Sequence, residues 1–125
     1  MNQKSELGKL GEDLACDYLV KKGYKIIERN FRKPWGELDI IAISPEKILV
    51  FCEVKTMKKF QGGLRPEDQL TAAKKRKFQR AASLYAGSHQ ELIDEEKGWR
   101  LDLIALTIDQ TVSNKDCDIN YYQNI

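Results

Sequence analysis

Gly36-Glu37-Leu38-Asp39-Ile40-Ile41-Ala42, followed after a short break by Val50-Phe51-Cys52-Glu53-Val54-Lys55, decides how this chain is read. Both runs are apolar enough to be buried strands, and both carry charge. Alternation along a strand puts Glu37 and Asp39 on one face, and Glu53 and Lys55 on one face of the next strand. Charged groups entering apolar strands are costly unless they are paired or bind something. If Pro45-Glu46-Lys47 forms a three-residue hairpin loop, Ser44 faces Ile48, Asp39 lies directly opposite Glu53, and Glu37 lies opposite Lys55. Opposed side chains share a face with Cβ atoms about 5 Å apart, and a slip of one residue would destroy the arrangement.

Two carboxylates at that spacing are able to take one hard cation between them. A metal there lowers the pKa of a bound water and stabilises charge on a phosphate. Lys55 beside it would orient the water or neutralise developing negative charge. A cross-strand ladder of salt bridges on a solvated face accounts for the same spacing and remains an alternative.

Outward from these strands, residues from about Ser5 to Lys22 read as a helix. Leu7, Leu10, Leu14 and Tyr18 recur at helical spacing, and Gly23 suits the C-terminal cap. Glu12 lies at the flank of that stripe, on the side shared by Gly8, Ala15 and Leu19, where a carboxylate reaches over the sheet. A strand from Tyr24 to Phe31 follows, broken by Asn30 and Arg32-Lys33-Pro34-Trp35-Gly36. Glu37 to Ile43 and Lys47 to Lys55 are the second and third strands. A helix is expected from about Pro66 to Ala86, with Leu70, Ala73, Phe78, Ala81, Leu84 and Tyr85 as its apolar stripe. Strands from Trp99 to Ile108 and Ile119 to Tyr122 complete the order α-β-β-β-α-β(-β). The expected fold is α/β, a mixed four- to five-stranded sheet flanked by helices.

The 125 residues fit one domain with one core. No apolar run approaches the roughly 18 residues of a membrane span. The first residues, Met1 to Glu6, lack the pattern of a secretory signal. Cys16, Cys52 and Cys117 form no CxxC pair and read as reduced thiols. A cytoplasmic protein is the expectation. Net charge is only +2, yet nine basic side chains and two acidic ones lie between Lys55 and Arg80. A segregated basic face suits a polyanion partner, although a solvated helix face has the same composition.

Projected on a helix, Lys74 and Lys77 fall in the middle of the second apolar stripe, whereas Lys75, Arg76 and Arg80 point elsewhere. Central lysines either snorkel to a helix end or line a cleft shared with the carboxylates. The segment Met57 to Arg65 contributes Lys58, Lys59 and Arg65 beside Phe60, a set suited to clamping a backbone or stacking on an unpaired base. His89, the only histidine, has no motif partner and reads as structural. Asp102, set among Leu101, Leu103 and Ile104, reads as a buried carboxylate paired with a base. No P-loop, GxGxxG or GxSxG motif occurs.

Taken together, Gly8-Lys9-Leu10-Gly11-Glu12, Gly36 to Ala42, Val50 to Lys55, Lys74, Ala81-Ala82, Arg100-Leu101-Asp102 and Tyr122-Gln123-Asn124 resemble the bacterial YraN family. That family is similar to archaeal Holliday junction resolvases and to the PD-(D/E)xK nuclease-like, restriction-endonuclease-like fold. By this resemblance Asp39 matches the motif's aspartate, Glu53 and Lys55 its E-x-K, and Glu12 the glutamate that the resolvases' first helix contributes.

The resemblance implies a Mg²⁺- or Mn²⁺-dependent endonuclease acting on branched or single-stranded DNA. Asp39 and Glu53 would bind metal with help from Glu12, Lys55 would serve the water or transition state, and Lys58, Lys59, Arg65, Lys74 and Lys77 would hold phosphates. Because a four-way junction is two-fold symmetric, a homodimer is the implied assembly. Many relatives carry arginine where this chain has Met57. The fold also hosts proteins that bind without cutting. A nucleic-acid-binding module and a structural protein with salt-bridged strands are therefore the rival readings.

Overall fold

Ser5 caps the first helix by accepting from the Gly8 N–H at 3.0 Å, a side-chain cap of the kind that satisfies an otherwise orphaned donor. The computed structural model describes residues 5–59, 65–109 and 117–125. Helix α1 runs Glu6–Lys21. It ends as expected at Gly23, whose φ is +91°; Gly23 N–H bonds Val20 O and Tyr24 N–H bonds Leu19 O, a Schellman closure.

The packing face of α1 differs from the expected stripe. Leu7, Leu10 and Leu14 are only half-buried, and the buried residues are Gly11, Glu12, Ala15, Cys16 and Leu19. Small side chains explain the rotation, because they let the helix axis approach the sheet where leucines would hold it off. A Cβ added to Gly11 would lie 2.0 Å from Thr56 Oγ1.

Strands β1 (Lys25–Lys33), β2 (Gly36–Ile43), β3 (Leu49–Lys58), β4 (Trp99–Ile108) and β5 (Cys117–Tyr122) form one sheet in sequential order. All neighbours are antiparallel except β3 and β4, which are parallel. A parallel pair needs a crossover between its strands, and helix α2 (Ala72–Ser88) lies between them in the chain. The expected order and mixed sheet are those observed.

Several boundaries differ from expectation: β3 runs Leu49–Lys58 where Lys47 to Lys55 is expected, and β5 starts at Cys117, two residues before Ile119. β1 continues through Asn30 to Lys33, because Asn30 adopts φ +53° without ending the strand. The second helix does not begin at Pro66: Pro66–Gln69 is a separate 3-10 turn, and Thr71 caps a new helix by accepting from Lys74 N–H at 3.2 Å.

Each sheet face has its own core. Ile40, Ala42, Val50, Cys52, Ile104 and Leu106 pack with Ala15, Cys16 and Leu19 of α1. Ile41, Leu49, Phe51 and Leu101 pack with Phe78, Ala81, Ala82 and Tyr85 of α2. Helical periodicity puts Ala73 and Leu84 in the α2 stripe, yet both are exposed. The real face turns toward Ala82 and Ala86, again small residues that permit close approach.

At the β4–β5 edge, Asp102 is fully buried. It accepts from Arg100 Nε at 2.9 Å, from the Tyr121 hydroxyl and from the Asn124 N–H at 2.9 Å. The expected base partner is therefore Arg100. His89 stacks on Tyr85 with ring centroids 3.9 Å apart, a structural role as anticipated. No helix among the described residues is long and apolar enough to cross a membrane.

The approach at Gly11 yields a signed prediction. On propensity alone, glycine to alanine inside a helix gains roughly 0.5–1 kcal/mol. Gly87→Ala, with nothing within 4 Å of the added carbon, should show that gain. Gly11→Ala should instead lose about 1–3 kcal/mol through overpacking against Thr56, as read by urea unfolding. A gain at both sites would show that α1 does not depend on this close approach.

Candidate functional site

The hairpin register places the acidic pair. β2 and β3 pair as Ile43 with Leu49, Ala42 with Val50, Ile41 with Phe51 and Ile40 with Cys52, and Ser44 N–H bonds Ile48 O. This is the register expected from a three-residue loop, and its continuation sets Asp39 opposite Glu53. The ladder itself stops at Ile40 and Cys52.

In an antiparallel ladder, hydrogen-bonded pairs recur at every second rung. Starting from Ser44 and Ile48, the next such pair beyond Ile40 and Cys52 would be Leu38 and Val54. Instead the Val54 N–H donates to Asp39 Oδ2 at 2.9 Å. The carboxylate has taken a main-chain donor and parted the two strands.

The adjoining strand is distorted at the same rung. Asn30 would sit opposite Asp39, between the pairs Arg29–Ile40 and Phe31–Leu38, and it is the β1 residue with positive φ. Side-chain alternation is broken here. Leu38 packs in the α2-side core, while Ile40, two residues on, packs on the α1 side.

Glu53 and Lys55 follow Phe51 at two-residue steps and so face α2. Glu53 lies beside Asp39, close enough for each carboxylate to feel the other's charge. Lys55 Nζ lies 3.2 Å from Glu53 Oε1, with both side chains about four-fifths buried. Burial first, and the nearby Asp39 charge second, push the Glu53 carboxyl up to about 7, with Lys55 acting in the opposite direction. The expected Glu37–Lys55 pairing is not formed as an ion pair. Glu37 Oε2 accepts from Arg32 Nη1 at 2.8 Å, because Arg32 is its direct neighbour across β1.

Asp39, Glu53 and Lys55 lie on a cleft of about 530 Å³. Lys74 and Lys77 of α2 line the same cleft, so of the two sequence alternatives for these lysines the cleft is the one observed. Arg80, Lys33 and Trp35 are among the other residues that line it. Helical projection turns Arg80 elsewhere, but it follows Lys77 at three-residue spacing on the helix surface. Lys33 ends β1 and Trp35 lies in the turn that follows, a segment the sequence shows only as a break; the signal it offers is a tryptophan and a lysine beside the Gly36-Glu37 motif. A second cleft of about 330 Å³ shares Glu37, Asp39, Glu53 and Lys55 and is also lined by Ser5, the cap of α1, by Gly8 in its first turn and by Gln69.

Glu12 is not brought to this pair. It is 1% exposed and turns toward β1, accepting from Asn30 Nδ2 at 2.6 Å and from Arg29 Nη2 at 3.4 Å. The rotation that buries Gly11 carries Glu12 inward too. Among the described residues, no group of three or more His, Cys, Asp or Glu is placed to hold a metal. Lys58, Lys59 and Arg65 line neither cleft. The first two are exposed at the end of β3, and Arg65 lies 4.0 Å from Asp68. Met57 is buried. Residues 60–64, including Phe60, lie outside the described residues.

The raised Glu53 pKa has a consequence for stability. A carboxyl whose folded pKa exceeds its unfolded value binds its proton more tightly when folded. Its stabilising effect is therefore complete below the unfolded value of 4.5, and is lost as pH rises through about 7. In EDTA, the parent's stability relative to Glu53→Gln should fall by up to about 3 kcal/mol between pH 5 and pH 8. Urea titrations of both proteins at several pH values check this, and a pH-independent difference would sink it.

The sequence has close relatives across most of its length. The profile of "Uncharacterised protein family UPF0102" matches residues 11–106, a span holding Glu12, Asp39, Glu53, Lys55, Lys74 and Lys77. A UPF0102 protein of Renibacterium salmoninarum is 39% identical over 110 residues, covering 88% of this chain and 89% of that one. One from Dictyoglomus thermophilum is 36% identical over 124 residues, covering 99% and 98%. One from Thermodesulfovibrio yellowstonii is 43% identical over 101 residues, covering 81% and 85%. A profile match over most of the chain, with such relatives beside it, means that this chain belongs to the UPF0102 family.

Proposed function

We propose that the chain is a Mg²⁺- or Mn²⁺-dependent phosphodiesterase acting on DNA. The observation that carries this reading is the neighbouring Asp39 and Glu53 carboxylates with Lys55 beside them, in a cleft also lined by Lys33, Lys74, Lys77 and Arg80.

The donor set fits the ion. Two adjacent carboxylates repel unless a proton or a cation lies between them. Mg²⁺ is commonly held by one or two carboxylates and completes its shell with waters and substrate phosphate. Asp39 and Glu53 would hold it, while Glu12, turned toward Asn30 and Arg29, stands outside this donor pair. The bound ion would supply Lewis-acid polarisation of a phosphoryl oxygen and lower the pKa of a water.

The chain's own side chains do the rest. Asp39 is fixed by the Val54 N–H, so its direction is set before any ligand arrives. Lys55 orients the attacking water or offsets charge that develops on the phosphate. Lys74, Lys77, Lys33 and Arg80 grip flanking phosphates as a sequence-independent electrostatic clamp.

The position of Glu12 favours a second reading, in which the same cleft binds nucleic acid and cuts poorly. Labelled single-stranded, flap, junction and duplex DNA, incubated with Mn²⁺ and with EDTA, separates the two. Metal-dependent cleavage that Asp39→Asn abolishes supports the enzyme. Metal-insensitive binding without products supports the module.

Two measurements test the parts. Mn²⁺ at about one hundred times its Kd should stabilise the parent by about 2.7 kcal/mol. Asn at position 39 keeps an acceptor for the Val54 N–H but loses the charge, and should remove that stabilisation. Equal melting temperatures for the parent in EDTA and in millimolar Mn²⁺ would refute the metal site.

Replacing Lys74 and Lys77 together with glutamine should weaken duplex binding. The slope of log K against log salt should become shallower by about 1.8, at about 0.9 for each phosphate left without its lysine. A double variant that binds normally but melts lower would make these lysines packing residues.

A further inference from the structure

Trp35 is not accounted for by the core. It sits in the turn between β1 and β2, is 41% exposed and belongs to neither core cluster. Yet it is held in place. The Phe31 ring braces it, with centroids 5.5 Å apart. The following residue, Gly36, lies directly on α2, where a Cβ would fall 2.7 Å from that of Ala81. A methyl group at position 36 would lift the turn off the helix, so glycine there seats the turn and its tryptophan against α2. Trp35 lines the cleft together with Glu53, Lys55, Lys74 and Lys77.

We infer that Trp35 is a stacking platform for an unpaired nucleobase, so that the cleft takes a DNA strand with an unpaired nucleotide beside the bound phosphate in preference to continuous duplex. This rests on the nucleic-acid reading above and names its substrate class.

The argument is one of chemistry and access. An aromatic face among cations is the combination that holds single strands: cations follow the phosphates while the ring takes a base. Every base has a π-face, so the contact asks for an accessible base and not for a sequence. In continuous duplex the bases are stacked on one another and paired. A base reaches a protein ring only after it has been extruded from the helix. Duplex would therefore meet the lysines alone, through its phosphates, and gain nothing from Trp35.

The test separates the ring from the charges. A labelled twelve-residue thymidine strand, an abasic strand of equal length and charge, and a blunt duplex are titrated with full-length parent, Trp35→Ala and Trp35→Phe. Ca²⁺ replaces Mg²⁺ in these titrations, and anisotropy is the readout. The parent should bind the thymidine strand about ten-fold or more tightly than the abasic one. Trp35→Ala should lose that preference while holding abasic strand and duplex as the parent does, with an unchanged salt slope. Trp35→Phe should keep most of it.

Equal binding of the thymidine strand by parent and Trp35→Ala overturns the stacking role, and salt-dependent binding by both then leaves the nucleic-acid reading standing. A uniform loss on all three ligands, with a lower melting temperature, makes Trp35 a structural residue and overturns the inference. Failure of the parent to bind any of the three overturns the inference together with the reading beneath it.

Discussion

The hydrogen bond from the Val54 N–H to the Asp39 carboxylate is the constraint on which the site depends. It diverts a donor that the β2–β3 ladder would otherwise use. The two strands consequently stop pairing after Ile40 and Cys52. β3 does not end there, because β4 continues to pair with it in parallel through Lys58. A sheet that is closed on one side of β3 and open on the other is the result. Glu53 and Lys55 occupy the strand where it has lost one neighbour and kept the other. On β1 the left-handed backbone at Asn30 accompanies the same distortion, and its side chain donates to the buried Glu12. Buried main-chain donors must find acceptors, so the carboxylate that opens the sheet also makes the opening tolerable.

Two acidic centres in this protein show how burial alone fails to mark function. Asp102 is the more deeply buried, but Arg100, the Tyr121 hydroxyl and a main-chain N–H surround it with donors. That carboxylate is satisfied in place and ties the residues after β5 to β4, where Ile125 N–H also bonds Leu101 O. Asp39 and Glu53 face one another instead. Lys55 offsets part of their repulsion, yet burial and Asp39 still push Glu53 upward. A like-charged pair inside a cleft is relieved only by a proton or by a cation from outside, and groups with such perturbed titration cluster at functional sites.

The legible parts of the sequence are those governed by period and by loop length. Pro45-Glu46-Lys47 set the register that brings Asp39 to Glu53, and the strand expected from Trp99 to Ile108 has those bounds in the structure. Helix faces are harder. Counting leucines favours Leu7, Leu10 and Leu14, whereas the distance of closest approach is decided by Gly11 and Ala15, which score weakly in any hydrophobic pattern. That single difference moves Glu12 from the margin of the helix into its packing face. On α2 the exposed Ala73 and Leu84 mislead in the same way and displace Arg80 from its place on the cleft. Trp35 escapes notice because a turn reads as an interruption between elements.

Alternation also explains why acid and base meet at all. Leu49 and Phe51 face α2, and two-residue steps carry Glu53 and Lys55 onto that same face as β3 runs on. A parallel β4 obliges the chain to cross back over the sheet, and α2 covers the apolar half of β3 to do so. Its core residues, Phe78 to Ala86, match the apolar rungs, so its first turns extend past them over the charged ones. Side chains on the cleft-facing side of those turns overhang the acidic pair. In this sequence they are Lys74 and Lys77. The basic stretch that composition shows only as a local excess of charge is thus carried by topology to the one part of the sheet where β3 has parted from β2.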